Sequence, residues 1–368
     1  MRIYRYLFRE VMLSFLAVAF VLLLIFASGR FVKYLGEVAA GSFSGDVLFS
    51  IMLYRMPGFI ELILPLAFFL GVMLTYGRLY VESEMIVLQA CGFSKRRLLL
   101  YTQGPAVVVM LAVVLFTTWL TPLGWSHFYR IWNDPATFSG LSTIVAGSFK
   151  RLGDSGAVIY TSEINQQKTA MKDVFVVTSG QRGKENELTL VKASEAKVVA
   201  LGPYDRYIEL YRGVEYTGEP GRLDFRASRY QQYGQRIEFS RDEVETVDIV
   251  DGMPTAAIMS SSDPREKAAF AWRVALPLLV PVLGLIAFAL SETSHRRGRY
   301  VKLLPGMITC LLYVAVLLGV RSGLDKGKVS SGMAYFGVHL VFLLLGLLLL
   351  YLPELRARLR FRRERKAA

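Results

Sequence analysis

Six long apolar stretches constrain this chain more than any other feature of its sequence. No charged residue interrupts them, and each supplies most of the ~20 residues that a helix needs to cross a bilayer. They cover residues 11–29, 62–77, 98–129, 274–291, 303–320 and 329–353. The second stretch extends back to about Val47 and then includes Arg55 and Glu61. The sequence therefore predicts an α-helical membrane protein with six transmembrane helices.

The charged residues are distributed unevenly between the loops. The N-terminus, the loops after spans two and four, and the C-terminus together hold 18 Lys/Arg and six Asp/Glu, most of the net charge of +13. These segments share one side of the membrane if the spans alternate, and an excess of Lys and Arg in short loops marks the cytoplasmic side. We therefore expect both termini to be cytoplasmic and the long segment between spans three and four to be external.

The C-terminal tail, residues 353–368, carries seven basic residues. Such a density also occurs in nucleic-acid-binding proteins. The position of the tail directly after span six favours another explanation, because each basic residue beside a membrane is attracted to anionic headgroups by ~1 kcal/mol. We expect contact with membrane lipids and no nucleic-acid partner.

The external segment has a different pattern, in which apolar residues alternate over short runs between polar turns. The runs cover residues 157–161, 173–177, 187–191, 196–199, 207–211, 223–227 and 236–239. Many short strands of this kind are typical of an antiparallel sandwich or jelly roll. The predicted organisation is thus spans one to three in 1–126, an all-β jelly roll with its linker in 127–268, spans four to six in 269–352, and the tail in 353–368.

Catalytic motifs are absent from the sequence. It contains no phosphate-binding G-x-x-x-x-G-K-[ST], no H-E-x-x-H and no G-x-S-x-G. The three histidines, His127, His295 and His339, are predicted to lie in different compartments or at different depths. We therefore expect no enzyme active site, no metal site and no cofactor.

The predicted cytoplasmic loop after span two contains an amphipathic segment over residues 82–92. Val81, Met85 and Leu88 recur at the spacing of one helical face. Gly92 suits the position after a helix C-terminus, and Ser94 suits the N-cap of the following helix. The loop therefore predicts a short helix on the cytoplasmic surface.

Glu82 and Glu84 lie near the start of this helix, where the helix dipole favours carboxylates. The residues alone leave two interpretations open. The helix is either a solvated loop helix with capping charges or a docking element for a cytoplasmic partner.

Three segments resemble the permeases of the lipopolysaccharide export transporter, the LptF/LptG family. They are LPLAFFLG at 64–71, GRLYVESE at 77–84 and ACGFS at 90–94. Their order and spacing are similar to those of the family, and the Ala-Cys-Gly form is closer to the F-type than to the G-type permease. The resemblance covers the whole chain, because the members of that family also have three spans, then a periplasmic jelly roll, and then three more spans.

The resemblance implies a non-catalytic subunit of an ABC transporter that extracts lipopolysaccharide from the outer leaflet of the bacterial inner membrane. It implies a heterodimer with a paralogous G-type permease, a dimeric cytoplasmic ATPase that hydrolyses ATP, and a periplasmic bridge protein with a membrane anchor. It also implies that the 82–92 helix is the ATPase coupling helix, formed by Glu84 with Glu82, Met85 and Leu88. A mechanotransmission-type permease or a membrane scaffold, acting on a periplasmic partner without moving lipid, is the alternative.

Basic residues at the predicted external rim oppose the usual charge distribution. Arg30 and Lys33 lie three residues apart at the outer end of span one, Arg321 ends span five, and Lys326 and Lys328 follow it. They either extend to lipid headgroups, with Glu37 pairing with Lys33, or form a cationic ring for an anionic ligand. The resemblance implies that Arg30, Lys33 and Arg321 bind the lipid A phosphates.

Span two carries further polar features. Arg55 and Glu61 are six residues apart, so they do not share a helical face and each needs another partner or water. The small residues Ala67, Gly71 and Thr75 form a stripe that permits close approach of another helix, either as fixed packing or as a moving interface. Arg273, at the start of span four, is expected to anchor that helix at the external interface.

Overall fold

The computed structural model describes residues 2–39, 45–132, 146–152, 157–165, 170–179, 188–200, 206–219, 221–222, 225–236, 250–292, 302–328 and 332–367. Its helices are α1 (Arg2–Ala39), α2 (Gly45–Val81), α3 (Glu84–Ala90), α4 (Lys95–Leu115), α5 (Thr121–Trp132), α6 (Thr255–Met259), α7 (Pro264–Ser291), α8 (Leu303–Asp325) and α9 (Met333–Ala367). A π-helical turn, Phe116–Leu120, joins α4 to α5. The chain forms two compact units, one of residues 1–30, 53–127 and 247–368 and one of residues 31–52 and 128–246.

Within the described part of the chain, six helical segments are long and apolar enough to cross a membrane. They are Arg2–Gly36, Val47–Val81, Lys95–Ile131, Pro264–Ser291, Leu303–Asp325 and Met333–Leu352. A helix satisfies its own backbone hydrogen bonds, which is the condition for a single segment to pass through lipid. The predicted number and order of spans are confirmed.

Helix α7 is the central helix of the first unit. In its apolar 18-residue stretch, 72% of α7 is buried, whereas only 17% of the corresponding stretch of α1 is buried. Helices α4, α8 and α9 all pack against α7. The core of this unit therefore lies around span four, and α1 leaves most of its apolar surface uncovered.

The small residues of α2 bring it close to α1, as predicted. A Cβ atom added to Gly71 would lie 2.8 Å from the Phe15 backbone. The Thr75 hydroxyl donates a hydrogen bond of 3.3 Å to the Glu10 carbonyl oxygen, and Ala67 is buried. The backbones of spans one and two are therefore in close contact at Gly71 and Phe15.

The second unit contains an antiparallel sheet. Its strands are β1 (Lys150–Leu152), β2 (Ala157–Tyr160), β3 (Glu163–Ile164), β4 (Ala170–Ser179), β5 (Leu188–Ala200), β6 (Arg206–Gly218) and β7 (Arg226–Arg236). They pair in the order β1-β2-β4-β5-β6-β7, and β3 also pairs with β4. An antiparallel β region separate from the apolar helices is therefore present, and its strands lie in sequence between α5 and α6. Its jelly-roll form and its insertion as a domain between spans three and four stay predictions.

The apolar face of the sheet changes phase in the middle of two strands. Val191 and Ala193 are buried, as alternation requires, but the next buried residue of β5 is Ala196. In β4, Met171 and Val174 are both buried, and Asp173 between them has a φ of 47°. Because side chains alternate between faces, a residue with left-handed backbone geometry shifts which positions face inward.

Because of this phase change, one strand was predicted as two. The runs at 187–191 and 196–199 were expected to be separate strands, whereas the structure places residues 188–200 in the single strand β5. The run at 223–227 overlaps the start of β7 at Arg226, and its residues 223–224 lie outside the described residues. Of the run at 236–239, only Arg236 is described.

Candidate functional site

A cavity of about 380 Å³ lies within the first unit. Four arginines and two carboxylates line it together with apolar side chains. The charged residues are Arg30, Arg55, Glu61, Asp251, Arg273 and Arg321, and the apolar ones include Phe26, Phe59, Leu62, Leu66, Trp125, Trp272, Leu311, Val314 and Leu318. The cavity thus combines a cationic group of side chains with a large hydrocarbon surface.

Aromatic rings hold two of the arginines on the spans. The Arg30 guanidinium carbon lies 4.5 Å from the centre of the Phe59 ring. The Arg55 guanidinium carbon lies 3.5 Å from the centre of the Trp125 ring and 6.0 Å from that of Phe59. A cation over a ring face is stabilised by the ring quadrupole. Trp125, on the third span, is therefore a partner of Arg55.

Glu61 is buried in the cavity wall. Its carboxylate accepts a hydrogen bond of 2.7 Å from the Thr121 hydroxyl. Thr117, within the π-helical turn, donates a hydrogen bond of 3.3 Å to the Arg273 carbonyl oxygen. Such turns are frequent at functional sites, and this turn and α5 line the cavity through Thr117, Thr121 and Trp125.

Arg321 makes the closest charged contact of the cavity. Its Nη2 atom donates to both oxygens of Asp251, at 2.5 and 2.6 Å. Its guanidinium carbon also lies 5.1 Å from the centre of the Trp272 ring. The side chains of Arg321 and Asp251 are 18% and 19% exposed, so the pair is largely shielded from solvent.

Arg273 differs from its prediction as an interface anchor. It is buried, and its guanidinium donates to the carbonyl oxygens of Asp251 at 3.0 Å and Met253 at 2.9 Å. It also donates to the Thr255 hydroxyl at 2.7 Å. The prediction was wrong because these carbonyl oxygens, supplied by a segment read as a simple linker, satisfy the charge within the protein.

The structure brings together only part of the predicted cationic ring. Arg30 and Arg321 line the same cavity, whereas Lys33 is not among its described lining residues and belongs to the second unit. Arg55 and Glu61 of span two line the same cavity. Charged residues within a span are functional candidates by default, and this signal was present in the sequence. No local pattern marked Asp251.

The predicted cytoplasmic helix is present as α3. Phe93 N donates to the Leu88 carbonyl oxygen at 3.1 Å, and Gly92 has a φ of 90°, which confirms the predicted helix end. Ser94 caps α4 by accepting a hydrogen bond of 3.3 Å from the Arg97 amide. The end of α3 and the start of α4 thus agree with the prediction, whereas α3 begins at Glu84 and not at residue 82, because Ser83 before it has a left-handed φ of 64°.

The carboxylates at the start of α3 contact the first two spans. Glu84 accepts a hydrogen bond of 2.8 Å from the Tyr6 hydroxyl. Arg78 forms an ion pair with Glu10 and lies 4.0 Å from Glu82. These contacts connect the start of α1 and the end of α2 to α3.

The two faces of α3 have different surroundings. Met85 is fully buried and Leu88 packs against the core, so both predicted coupling residues point towards the protein. Ile86 and Val87 are 55% and 57% exposed. The apolar surface that α3 presents outward therefore consists of two residues that the periodicity did not single out.

The fold and cavity define a polytopic membrane protein with a β region and an amphiphilic cavity. The family described as lipopolysaccharide export system permease LptF/LptG matches residues 5–352. LptF of Escherichia coli K12 is 28% identical over 349 residues, which covers 95% of this chain and 94% of that protein. LptF of Shigella flexneri gives the same values, and LptG of E. coli K12 is 26% identical over 136 residues, 37% of this chain and 38% of that protein.

The chain therefore belongs to the LptF/LptG family and is of the LptF type. It is a permease subunit of the lipopolysaccharide export system and a multi-pass protein of the inner membrane. The match to both LptF and LptG agrees with a system of two paralogous permeases.

Proposed function

We propose that this permease extracts lipopolysaccharide from the outer leaflet of the inner membrane, and that its cavity receives the lipid A headgroup. The supporting observation is that Arg30, Arg55 and Arg321 share one cavity with a large apolar lining. An amphiphile with phosphates above acyl chains matches both surfaces at once. Each charge-assisted contact to a phosphate contributes ~1.5–3 kcal/mol.

Lys33 is included in the proposed phosphate site with Arg30 and Arg321. It follows Arg30 at the spacing of one helical face, which allows one polyanionic headgroup to reach both. With both termini in the cytoplasm and the β region in the periplasm, these residues lie at the depth of the outer leaflet. Lipid leaving the cavity then passes through the β region, in the form of a jelly roll, to the periplasmic bridge protein.

ATP hydrolysis in this proposal belongs to a separate cytoplasmic ATPase dimer. Helix α3 is its docking element, with Glu84 and Glu82 as the charged contacts and Met85 and Leu88 fixing the helix on the permease. The exposed Ile86 and Val87 supply the apolar part of the contact. The paralogous G-type permease completes the heterodimer, and the uncovered apolar surface of α1 suits burial against lipid or that partner.

Double charge reversal tests the phosphate site. The variant Arg30→Glu/Lys33→Glu is purified with its partner subunits in mild detergent, and bound lipopolysaccharide is measured. We expect a large loss of lipid with the ATPase still bound and its basal hydrolysis retained. Arg226→Glu/Arg229→Glu is the matched control, because both residues are exposed on β7 at the same spacing. Undiminished lipid recovery in the first variant contradicts the site and favours the mechanotransmission or scaffold alternative.

A further inference from the structure

Several contacts hold the segment between the β region and span four against the cavity. It begins with Asp251, whose carboxylate pairs with Arg321. Thr255 receives a hydrogen bond from Arg273 and donates one of 2.6 Å to the Thr118 carbonyl oxygen. Ile258 is 1% exposed, so the end of the segment is buried as well. We name residues 251–258 the latch segment.

The contact between Asp251 and Arg321 differs from the others in its chemistry. Arg273 and Thr255 bind neutral oxygen atoms of this chain, whereas Asp251 supplies a full negative charge to Arg321. Both oxygens of Asp251 accept hydrogen bonds from Nη2 of Arg321, and the oxygens of a phosphate group can accept from the same guanidinium. Asp251 therefore occupies the place of an anionic ligand in the cavity.

A phosphate that binds Arg321 competes with Asp251 for the same donor. The pair is largely shielded, so separation leaves the carboxylate uncompensated unless it moves towards water. The backbone of Asp251 is also one of the acceptors of Arg273. If the carboxylate leaves by a shift of the Asp251 backbone, this contact with Arg273 is lost as well, and the start of the latch segment loosens.

We propose that Asp251 is an internal counter-anion that keeps the latch segment on Arg321 until a phosphate group of the lipid displaces it. This inference rests on the proposed function and deepens it, because it gives the phosphate site a means of release. The latch segment follows the β region in sequence, so headgroup binding frees the chain segment that connects the two. Asp251 thereby sets the affinity of the site, which binds a phosphorylated lipid only at the cost of the internal pair.

Thiol labelling at Ile258 measures release without altering the pair. Ile258→Cys is introduced into the full-length chain with Cys91 and Cys310 replaced, and the protein is purified with its partner subunits and stripped of lipid. We expect lipopolysaccharide to increase the labelling rate at this position several-fold, and dephosphorylated lipopolysaccharide to leave it unchanged. Ala256→Cys, which is exposed, should label equally in all conditions. Equal protection with and without the phosphorylated lipid overturns the proposal.

Inorganic phosphate at the same phosphate concentration separates the two sources of the ligand. We expect no release, because the lipid reaches the cavity through its acyl chains. Release by free phosphate equal to that by lipid overturns the assignment to a lipid.

The variant Asp251→Asn, combined with Ile258→Cys, tests the latch from the other side. It should make position 258 reactive without lipid and increase lipid retention. Glu266→Gln, the same charge change in the first turn of α7, should do neither. Continued protection in Asp251→Asn contradicts the latch.

Arg321→Ala distinguishes failure of the inference from failure of the proposed function. If this variant retains lipopolysaccharide at the original level, Arg321 is not part of the phosphate site and both proposals fail at this residue. If retention falls in this variant, but lipid does not expose position 258 in the protein that keeps Arg321, the phosphate site stands and only the latch is wrong.

Discussion

The Tyr6 hydroxyl donates a hydrogen bond of 2.8 Å to the Glu84 carboxylate, so the first turn of α3 is attached to the start of α1. Glu84 therefore has a structural partner in its own chain in addition to its proposed contact with the ATPase. The two roles have separable consequences.

Glu84→Ala should disrupt assembly or coupling with the ATPase. Removing one partner of a charged contact at a protein interface costs ~2–5 kcal/mol, largely because the other charge is left unpaired. The measurement is ATPase co-purification together with lipopolysaccharide release. Tyr6→Phe is the control, since it removes only the internal hydrogen bond and should retain both activities. Identical defects in the two variants show that Glu84 acts through Tyr6 alone.

Gly71→Ala should weaken the packing of α1 against α2. The added Cβ lies 2.8 Å from the Phe15 backbone, which cannot move aside as a flexible side chain does. Overpacking of this kind costs ~1–3 kcal/mol. Gly29→Ala is the matched change on α1, where a Cβ has nothing within 4 Å. Thermal unfolding in detergent should show a lower midpoint only for the first variant, and equal midpoints contradict the close approach.

The sheet offers a test of the lipid path at single-residue resolution. Ile208 and Leu210 are buried on one face of β6, and the Tyr211 hydroxyl on the other face donates to Glu209 at 2.6 Å. A photo-crosslinking residue at Leu210 should capture lipopolysaccharide in cells, and one at Glu209 should not. Equal capture at both positions contradicts passage along the inner face.

The membrane orientation predicts opposite labelling of two exposed serines. In a background lacking Cys91 and Cys310, Ser94→Cys should resist an impermeant thiol reagent in intact spheroplasts, and Ser228→Cys should react. After lysis both should react, which confirms that the protected residue is accessible once the reagent reaches it. Labelling of Ser94→Cys before lysis to the level of Ser228→Cys rejects the proposed orientation.

The sequence determined the features that depend on neighbouring residues along the chain. The six spans follow from uninterrupted apolar runs. The C-terminal end of α3 follows from Gly92, and the start of α4 follows from Ser94. The small residues of α2 predicted its approach to α1 at Gly71. Each of these signals acts over a few residues, so it can be read without knowing what packs nearby.

Only the tertiary structure decided which charges meet. Arg321 and Asp251 are 70 residues apart, and Arg273 is buried because it binds carbonyl oxygens that no sequence pattern marks. The same limit explains why strand β5 was divided, since Asp173 on the neighbouring strand β4 has the left-handed φ beside the phase change. Helical periodicity gave the apolar face of Met85 and Leu88, but the packing of the spans decided that this face turns inward. Partners distant in sequence depend on how whole elements pack, and that packing is a property of the folded chain rather than of any one segment.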